Sequence, residues 1–170
     1  TCICIHKKTI AKIFIGIGSN INAEENLINA SRLIRSNWPE VSFSSVYKTS
    51  PQDEINQDDF LNAVAMIDSS DSIEDIFKSM QLIEERLEKN ITSPKGPRTI
   101  DLDLLLTEPL SLSSLDLIIP HPSLHKRRFV LEPLCELIDK EQLHPTLNES
   151  FGSLLKKTMD QSCTKTNIVL

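Results

Sequence analysis

Residues 96–106 read GPRTIDLDLLL, a turn and an arginine followed by an apolar run that two aspartates interrupt. In a β-strand the side chains alternate between faces, so the even-numbered residues from 100 to 106 share an apolar face and Asp101 and Asp103 share the other. The two carboxylates would stand about 7 Å apart along the strand, and like charges this close repel unless a cation or a proton relieves them. The stretch therefore predicts a half-buried strand with a cation site. The alternative is an edge strand with two solvated aspartates.

The composition is that of a globular protein. The chain has 170 residues, of which 39 % are hydrophobic and 25 % charged, enough for one compact domain. A net charge of -6 argues against a general nucleic-acid or anionic-membrane surface. The four cysteines have no paired Cys-x-x-Cys spacing, no apolar run approaches the ~18 residues of a membrane span, and the first residues lack the pattern of a signal peptide. We expect a cytoplasmic protein.

The hydrophobic pattern predicts an order of strand, helix, strand, strand, helix, strand, and then an α-rich portion with one more short strand. The predicted strands are 13–17, 41–48, 60–67, 100–106 and 117–119, and the predicted long helices are 22–37 and 72–89. This order indicates an α+β fold, a ferredoxin-like split β-α-β antiparallel sheet with helices on one face plus a C-terminal α-rich portion. Residues 1–12 are predicted to be an unassigned extension, 13–157 a single domain and 158–170 a C-terminal tail.

Two polar residues lie in apolar surroundings. Asn62 shares a face of its predicted strand with Phe60. The amide could read the edge of a heterocycle while the ring stacks on its plane, or Asn62 could be a satisfied core amide. Glu84 falls on or beside the apolar stripe of the second helix, with Gln81 on the same side. Such a carboxylate needs a partner, which is either water at the edge of the stripe or a group in a ligand pocket.

The most cationic segment reads HPSLHKRRF at residues 121–129. His121 and His125 have a spacing that zinc ligands use on a helix, but the two aspartates, with no thiolate nearby, favour a hard ion such as Mg²⁺. Arg127 and Arg128 are either phosphate ligands or a solvated cluster. Together these residues indicate metal-assisted transfer from a polyphosphate to a flat heterocyclic acceptor.

From roughly Ile13 to Lys157 the chain resembles the 6-hydroxymethyl-7,8-dihydropterin pyrophosphokinase family of the folate pathway. The motifs that carry the resemblance are FIGIGSN (14–20), YKTSP (47–51), FLNA (60–63), IE (83–84), GPRTIDLD (96–103), PH (120–121) and R-x-F-x-L-x-PL (127–134). The resemblance implies a ferredoxin-like fold and an ATP-dependent diphosphotransferase. Its reaction is Mg-dependent transfer of pyrophosphate from ATP to 6-hydroxymethyl-7,8-dihydropterin, giving AMP and the pterin diphosphate. The implied partners are these small molecules, without nucleic acid or membrane. Because some relatives are fused to other folate enzymes, the chain could also be part of a fusion.

The resemblance also implies roles for individual residues. Two Mg²⁺ ions would be held by Asp101 and Asp103, which with Arg98 form the catalytic set. The residues on the ATP side would be Gln81, Glu84, Lys89, Arg98, His121 and Arg127. The residues around the pterin would be Thr49, Ser50, Phe60, Asn62 and Phe129.

The chain departs from the family in the loop at residues 88–95, which the family uses as a lid. Members carry a Gly-Arg-x-Arg element there and a basic-aromatic pair before the Gly-Pro-Arg, whereas residues 87–95 read LEKNITSPK. Lys89 stands in for the first arginine. One rival interpretation is a catalytically weakened paralogue that binds ATP or pterin. Another is a ferredoxin-like nucleic-acid-binding module, which 5 % aromatic residues and a net charge of -6 disfavour.

Overall fold

The computed structural model describes residues 9–51, 56–89, 96–110 and 117–170. Most of the predicted lid, residues 90–95, lies outside these ranges. The strands are β1 (Ala11–Ser19), β2 (Ser42–Phe43), β3 (Tyr47–Thr49), β4 (Phe60–Ser69), β5 (Asp101–Glu108) and β6 (Thr164–Lys165). The helices are α1 (Ala23–Asn37), α2 (Ile73–Arg86), α3 (Arg128–Leu134) and α4 (Phe151–Lys156), and a 3₁₀ turn spans Leu124–Lys126. In the described part of the chain, no helix has the length and apolar character needed to span a membrane.

The strands form one antiparallel sheet in the order β5-β1-β4-β3-β6, with β2 also paired to β4. The predicted α+β, ferredoxin-like antiparallel sheet is confirmed. The predicted strand at 41–48 is divided into β2 and β3. Between them, the Ser44 hydroxyl takes the place of a backbone carbonyl as the acceptor for a β4 N–H. The Val64 N–H donates to Ser44 Oγ at 2.9 Å, while the Ser44 N–H donates to the Val64 carbonyl at 2.9 Å.

Two hydrophobic cores lie on the two faces of the sheet. The first packs α1 and α2 against the sheet and includes Ile13, Ile15, Leu27, Ile34, Ile76, Met80, Leu102 and Leu104. The second packs α3 and α4 against the opposite face and includes Phe14, Val64, Leu105, Leu106, Leu131, Leu134 and Phe151. The predicted C-terminal α-rich portion therefore covers the face that α1 and α2 leave open.

A β-bulge in β5 changes which residues share a face. Phe14 lies opposite Leu106 but Ile15 lies opposite Leu104, so Leu105 is the extra residue. One inserted residue reverses the alternation of all residues beyond it. The predicted apolar face is therefore right up to Leu104 and wrong at Leu106, which joins Leu105 in the second core.

One predicted strand and one predicted helix end are also corrected. Residues 117–119 form no strand. Pro120 lacks an N–H to donate to a ladder, whereas the His121 N–H donates to the Leu105 carbonyl of β5 at 2.8 Å. Helix α2 ends at Arg86 rather than near residue 89, because Glu88 adopts a left-handed conformation with φ 52° that turns the chain.

The residues predicted to form a C-terminal tail pack against the domain. Thr164 and Lys165 pair with β3, the Thr166 N–H donates to the Val46 carbonyl at 2.9 Å, and Arg35 of α1 donates to the Leu170 carbonyl at 2.9 Å. The segment therefore crosses from the side of α3 and α4 to the side of α1. The division into residues 1–12, 13–157 and 158–170 stays a prediction.

Candidate active site

A cavity of about 200 Å³ lies over the second face of the sheet. Nine of the predicted site residues line it: Thr49, Ser50, Phe60, Asn62, Arg98, Asp101, Asp103, Arg127 and Phe129. They come from β3, β4, β5, the turn before β5 and the start of α3. Residues up to 80 positions apart in the sequence therefore meet around one space.

Two glycines of β1 form the floor of this cavity. Gly18 lies opposite Asp101 and Gly16 opposite Asp103 on one side, and Gly18 lies opposite Asn62 on the other. Directly paired residues project to the same face of a sheet, so the absence of side chains on β1 leaves open space between the carboxylates and the amide. Glycines at the end of a strand are expected to let a ligand come close, but the pairing of these two with the aspartates was not predicted, although Gly-x-Gly and Asp-x-Asp share a period of two.

The two carboxylates have different surroundings. Asp101 Oδ1 accepts a hydrogen bond from Lys89 Nζ at 2.8 Å, and Asp101 Oδ2 accepts one from Arg98 Nη1 at 2.5 Å. Burial, followed by the charge of Asp101, raises the pKa of Asp103, although the nearby His121 opposes this. Asp101 is therefore neutralised by two cations in the protein, and a cation bound at Asp103 would relieve its unfavourable charge.

The carboxylate of Glu84 forms hydrogen bonds with groups of the protein, rather than with water or with a ligand in the cavity. Its Oε1 accepts hydrogen bonds from Lys89 Nζ and from the Leu102 N–H, both at 2.7 Å. Burial alone would lower the pKa of Lys89, but its hydrogen bonds to Asp101 and Glu84 outweigh burial and raise it. Lys89 therefore joins the end of α2 to the start of β5 as a half-buried cation. Gln81 is exposed on α2 and does not line the cavity.

His121 lies close enough to feel the charge of Asp103 but does not line the cavity. Its Nδ1 accepts a hydrogen bond from the Ser123 N–H at 3.2 Å, so Nε2 carries the proton in the neutral ring. Burial lowers the pKa of His121, against the effect of Asp103. His125 is packed elsewhere, with its ring centroid 6.2 Å from that of His144.

Each aromatic residue of the cavity is accompanied by an arginine. The guanidinium carbon of Arg98 lies 5.8 Å from the centroid of the Phe60 ring, and that of Arg127 lies 5.5 Å from the centroid of Phe129. Such distances allow cation–π attraction. The cavity thus combines two flat apolar faces with two permanent positive charges.

Arg128 does not lie beside Arg127 in the cavity. Its Nε donates to Glu132 Oε2 at 2.9 Å, and its Nη1 donates to the carbonyls of Gln161 at 2.9 Å and Met159 at 3.3 Å. The prediction that both arginines are either phosphate ligands or solvated is therefore corrected for Arg128, because a carboxylate and two carbonyls of the C-terminal segment bind its guanidinium.

Asn62 is a buried amide with a fixed orientation. It is 5 % exposed, and its Nδ2 donates to Thr49 Oγ1 at 2.8 Å. Its Oδ1 lies towards Gly18, where a Cβ atom would come within 3.1 Å of it. The amide therefore lines the cavity in one defined rotamer.

The structure is that of an α+β protein with a cavity lined by carboxylates, arginines and aromatic rings. The family model for 7,8-dihydro-6-hydroxymethylpterin-pyrophosphokinase matches residues 14–139. The chain belongs to this family, as the sequence motifs predict.

Individual relatives agree with this membership. The 2-amino-4-hydroxy-6-hydroxymethyldihydropteridine pyrophosphokinase of Haemophilus influenzae is 34 % identical over 157 residues, which cover 91 % of this chain and 97 % of the relative. The protein of the same name from Bacillus subtilis is 32 % identical over 140 residues, or 81 % of this chain and 84 % of the relative. The folic acid synthesis protein of Dictyostelium discoideum is 32 % identical over 137 residues, or 80 % of this chain, and the chain spans only 21 % of its length.

Solved structures show the same fold. The crystal structure of Plasmodium falciparum HPPK-DHPS with pterin and p-hydroxybenzoate superposes with a TM-score of 0.72 at 15 % identity, covering 91 % of this chain and 44 % of that chain. The Plasmodium falciparum protein and the Dictyostelium discoideum protein are both considerably longer than this chain, which covers only part of each.

Proposed function

We propose that this protein transfers pyrophosphate from ATP to 6-hydroxymethyl-7,8-dihydropterin and releases AMP and the pterin diphosphate, as a step of folate biosynthesis in the cytoplasm. The observation that carries the proposal is the pair of carboxylates, Asp101 and Asp103, on one face of β5 opposite two glycines. Arginines and aromatic rings border the same cavity. Membership in the pyrophosphokinase family supports the same reaction.

The carboxylate pair fits magnesium. Mg²⁺ prefers hard oxygen ligands and is usually bound through one or two carboxylates together with substrate phosphates, and Asp101 and Asp103 supply such oxygens on the wall of the cavity. We propose that these two residues hold two Mg²⁺ ions. When bound, the ions would neutralise charge on the phosphates of ATP. The raised pKa of Asp103 is consistent with a carboxylate that gains from a nearby cation.

The positive side chains around the cavity are proposed to hold the nucleotide. Arg98 and Arg127 line the cavity, and the planar guanidinium group suits the binding and positioning of phosphates. His121 is proposed to add a hydrogen bond from Nε2. Lys89 is proposed to act through Asp101, because its Nζ donates to Asp101 Oδ1. Glu84 is proposed to act through Lys89, because its Oε1 accepts a second hydrogen bond from the same Nζ. Gln81 has the least support, because it is exposed and away from the cavity.

The pterin ring is proposed to bind between apolar faces and a polar edge. Phe60 and Phe129 line the cavity and offer flat surfaces, while Asn62, Thr49 and Ser50 offer hydrogen-bonding groups. Aromatic faces would set the plane of the ring, and the fixed amide of Asn62 would set its orientation within that plane.

The experiment that tests this function is the measurement of AMP released from ATP, with and without the pterin alcohol, in the presence of Mg²⁺. We expect AMP only when all three are present, and no AMP from Asp101→Ala or Asp103→Ala. Absence of AMP from the wild-type chain at saturating substrates would refute the enzyme. If ATP or pterin still bound, that result would favour the weakened paralogue.

A further inference from the structure

Residues 159–166, which we call the C-terminal strap, lie beyond the part of the chain that the family model matches, residues 14–139. The strap contacts two segments that border the cavity. One is the β3 wall, residues 49–51, and the other is the α3 wall, residues 126–129. The side chains of two consecutive strap residues, Gln161 and Ser162, each contact one of these walls. We propose that Gln161 and Ser162 are positioning residues for the ligands of this cavity, Gln161 through the α3 wall and Ser162 through the β3 wall.

Gln161 binds the backbone on both sides of Arg127. Its Nε2 donates to the Lys126 carbonyl at 2.8 Å, and its Oε1 accepts a hydrogen bond from the Arg128 N–H at 2.9 Å. Arg128 is the first residue of α3, whose N-cap residue Arg127 makes no side-chain capping bond. The first N–H groups of a helix lack partners within the helix, so Gln161 caps α3 from a distant part of the chain. The same two bonds fix the backbone from which Arg127 reaches the cavity.

The strap is itself held in place by the α3 wall. The guanidinium of Arg128 donates to the carbonyls of Gln161 and Met159 and also pairs with Glu132. The contact is therefore reciprocal: the Gln161 side chain binds the backbone of the wall, and the Arg128 side chain binds the backbone of the strap. This leaves the orientation of Gln161 little freedom.

Ser162 makes the corresponding contact with the β3 wall. Its Oγ accepts a hydrogen bond from the Ser50 N–H at 3.0 Å and donates to Ser50 Oγ at 3.1 Å. The following residues continue along β3 as β6, with Thr164 opposite Lys48 and Lys165 opposite Tyr47. The end of β3 is thereby held in register up to the residues that line the cavity.

The two walls contain residues assigned to different ligands. The positioning roles of Gln161 and Ser162 can therefore be distinguished by measuring the binding of each ligand. This step rests on the proposed function. The α3 wall contains Arg127, assigned to the phosphates, and Phe129, assigned to the pterin. The β3 wall contains Thr49 and Ser50, both assigned to the pterin. Loss of Gln161 should therefore weaken both ligands, whereas loss of Ser162 should weaken the pterin alone.

The test compares Gln161→Ala and Ser162→Ala with Asp160→Ala, a substitution of an exposed strap residue, in the whole chain. Calorimetry would give dissociation constants for 6-hydroxymethylpterin and for a non-hydrolysable ATP analogue with Mg²⁺. We expect Gln161→Ala to weaken both ligands by roughly 5- to 10-fold, since its two side-chain hydrogen bonds are lost. Ser162→Ala should weaken only the pterin, and Asp160→Ala neither. Gln161→Glu keeps the acceptor for the Arg128 N–H and should give an intermediate effect.

Hydrogen exchange provides a second readout that requires no ligand. The amide of Arg128 should exchange faster in Gln161→Ala, and the amide of Ser50 faster in Ser162→Ala, each with the other amide unchanged. The variants should still fold, because Tyr47 Oη also joins β3 to the end of α3 by donating to Glu136 Oε1 at 2.5 Å. Urea unfolding of each variant checks this.

Three outcomes would overturn the proposal: both ligands bound by Gln161→Ala within twofold of wild type, equal weakening in all three alanine variants, or unprotected Arg128 and Ser50 amides in the wild type. Failure of the proposed function is seen in the wild type itself, which would then release no AMP. If the wild type still binds the ligands, the binding comparison applies unchanged; if it binds neither ligand, that comparison has no reference value. In that case the role of the strap is tested by hydrogen exchange alone. The role is supported if Gln161→Ala speeds exchange only at Arg128 and Ser162→Ala only at Ser50.

Discussion

Gly18 lies directly opposite Asp101 on the neighbouring antiparallel strand, and Gly16 faces Asp103 in the same way. The alternation of glycine on β1 therefore matches the alternation of aspartate on β5, residue by residue. A Cβ atom at Gly16 would lie 3.3 Å from Leu105, and one at Gly18 would lie 3.1 Å from Asn62 Oδ1. The Gly-x-Gly and Asp-x-Asp patterns, which are 83 and more residues apart in the sequence, together form one side of the cavity.

Substitution of the two glycines should have unequal effects. At Gly18 a Cβ atom would lie 3.1 Å from Asn62 Oδ1, and Asn62 is held by Thr49, so the amide must move. At Gly16 the nearest atoms are the two methyl groups of Leu105 at 3.3 Å, which can rotate away. We expect Gly18→Ala to weaken the binding of 6-hydroxymethylpterin by about tenfold and Gly16→Ala to weaken it less. Equal losses in a titration of both variants would contradict this assignment of Asn62.

Substitutions of the two aspartates should lower activity alike but change the free energy of unfolding differently. Asp101→Asn and Asp103→Asn should each lower Mg-dependent AMP release by at least about 10²-fold, because each removes a proposed metal ligand. Asp101→Asn should also lower the free energy of unfolding by about 1–3 kcal/mol, since Lys89 and Arg98 lose a charged partner. Asp103→Asn should leave it unchanged or raise it, because it removes a buried charge next to Asp101. Urea unfolding in a chelator measures this difference, and a larger loss for Asp103→Asn would refute it.

Glu84 is predicted to stabilise the junction between α2 and β5. Glu84→Ala should lower the free energy of unfolding by about 2–3 kcal/mol, because the Leu102 N–H loses its acceptor and Lys89 loses one of two partners. Glu84→Gln can still accept from Leu102 and should cost about 1 kcal/mol. The matched control is Glu85→Gln, an exposed position on the same helix. A loss in Glu84→Ala no larger than in this control would show that the junction does not depend on Glu84.

His144 should make the protein less stable in mild acid. The ring is 4 % exposed, and its Nδ1 accepts a hydrogen bond from the Thr146 N–H at 3.3 Å, which a protonated ring could not do. Burial, followed by the proximity of His125, lowers the pKa of His144 below its ordinary value of 6.5. As the pH falls below this value the unfolded chain binds the proton first. Stability is therefore present above pH 6.5 and is lost as the pH falls towards the lowered pKa, by at most about 1.4 kcal/mol per pH unit.

The measurement for His144 is urea unfolding at pH 7.5 and 5.5. His144→Asn keeps an acceptor for the Thr146 N–H but does not titrate, so it should lose less stability than the wild type between the two pH values. The comparison isolates His144 from the other groups that titrate in this range. Identical pH dependence in both proteins would exclude a role for His144.

Several features could be predicted because they depend on local periodicity. The common face of Asp101 and Asp103 followed from alternation along one strand, and the inward stripe of α2 at Ile76, Met80 and Ile83 followed from helical spacing. Phe60 and Asn62 were placed on one face in the same way and do line one cavity with the aspartates. Their roles in binding stay predictions, as do those of all the proposed site residues.

Other features could not be predicted because they depend on contacts between distant residues. The bulge at Leu105 arises only when β5 pairs with β1, and it moved Leu106 to the opposite core. The partner of Glu84 required the turn at Glu88, which brings Lys89 back to the end of α2. Both corrections have the same cause. The local sequence pattern does not determine which groups of a neighbouring strand or turn will form hydrogen bonds with a residue.

The sequence by itself determined the fold class, the family and the face of β5 that carries the two carboxylates, because alternation and motif order are properties of consecutive residues. Only the tertiary structure decided that the glycines lie opposite those carboxylates, that Arg128 binds the strap rather than the cavity, and that the last residues pack against both walls. Ser50 and Ser162, which are 112 residues apart, form a hydrogen bond. The physical reason is that strand register and side-chain partners are set by packing between distant segments, where a shift of one residue exchanges the two faces of a sheet.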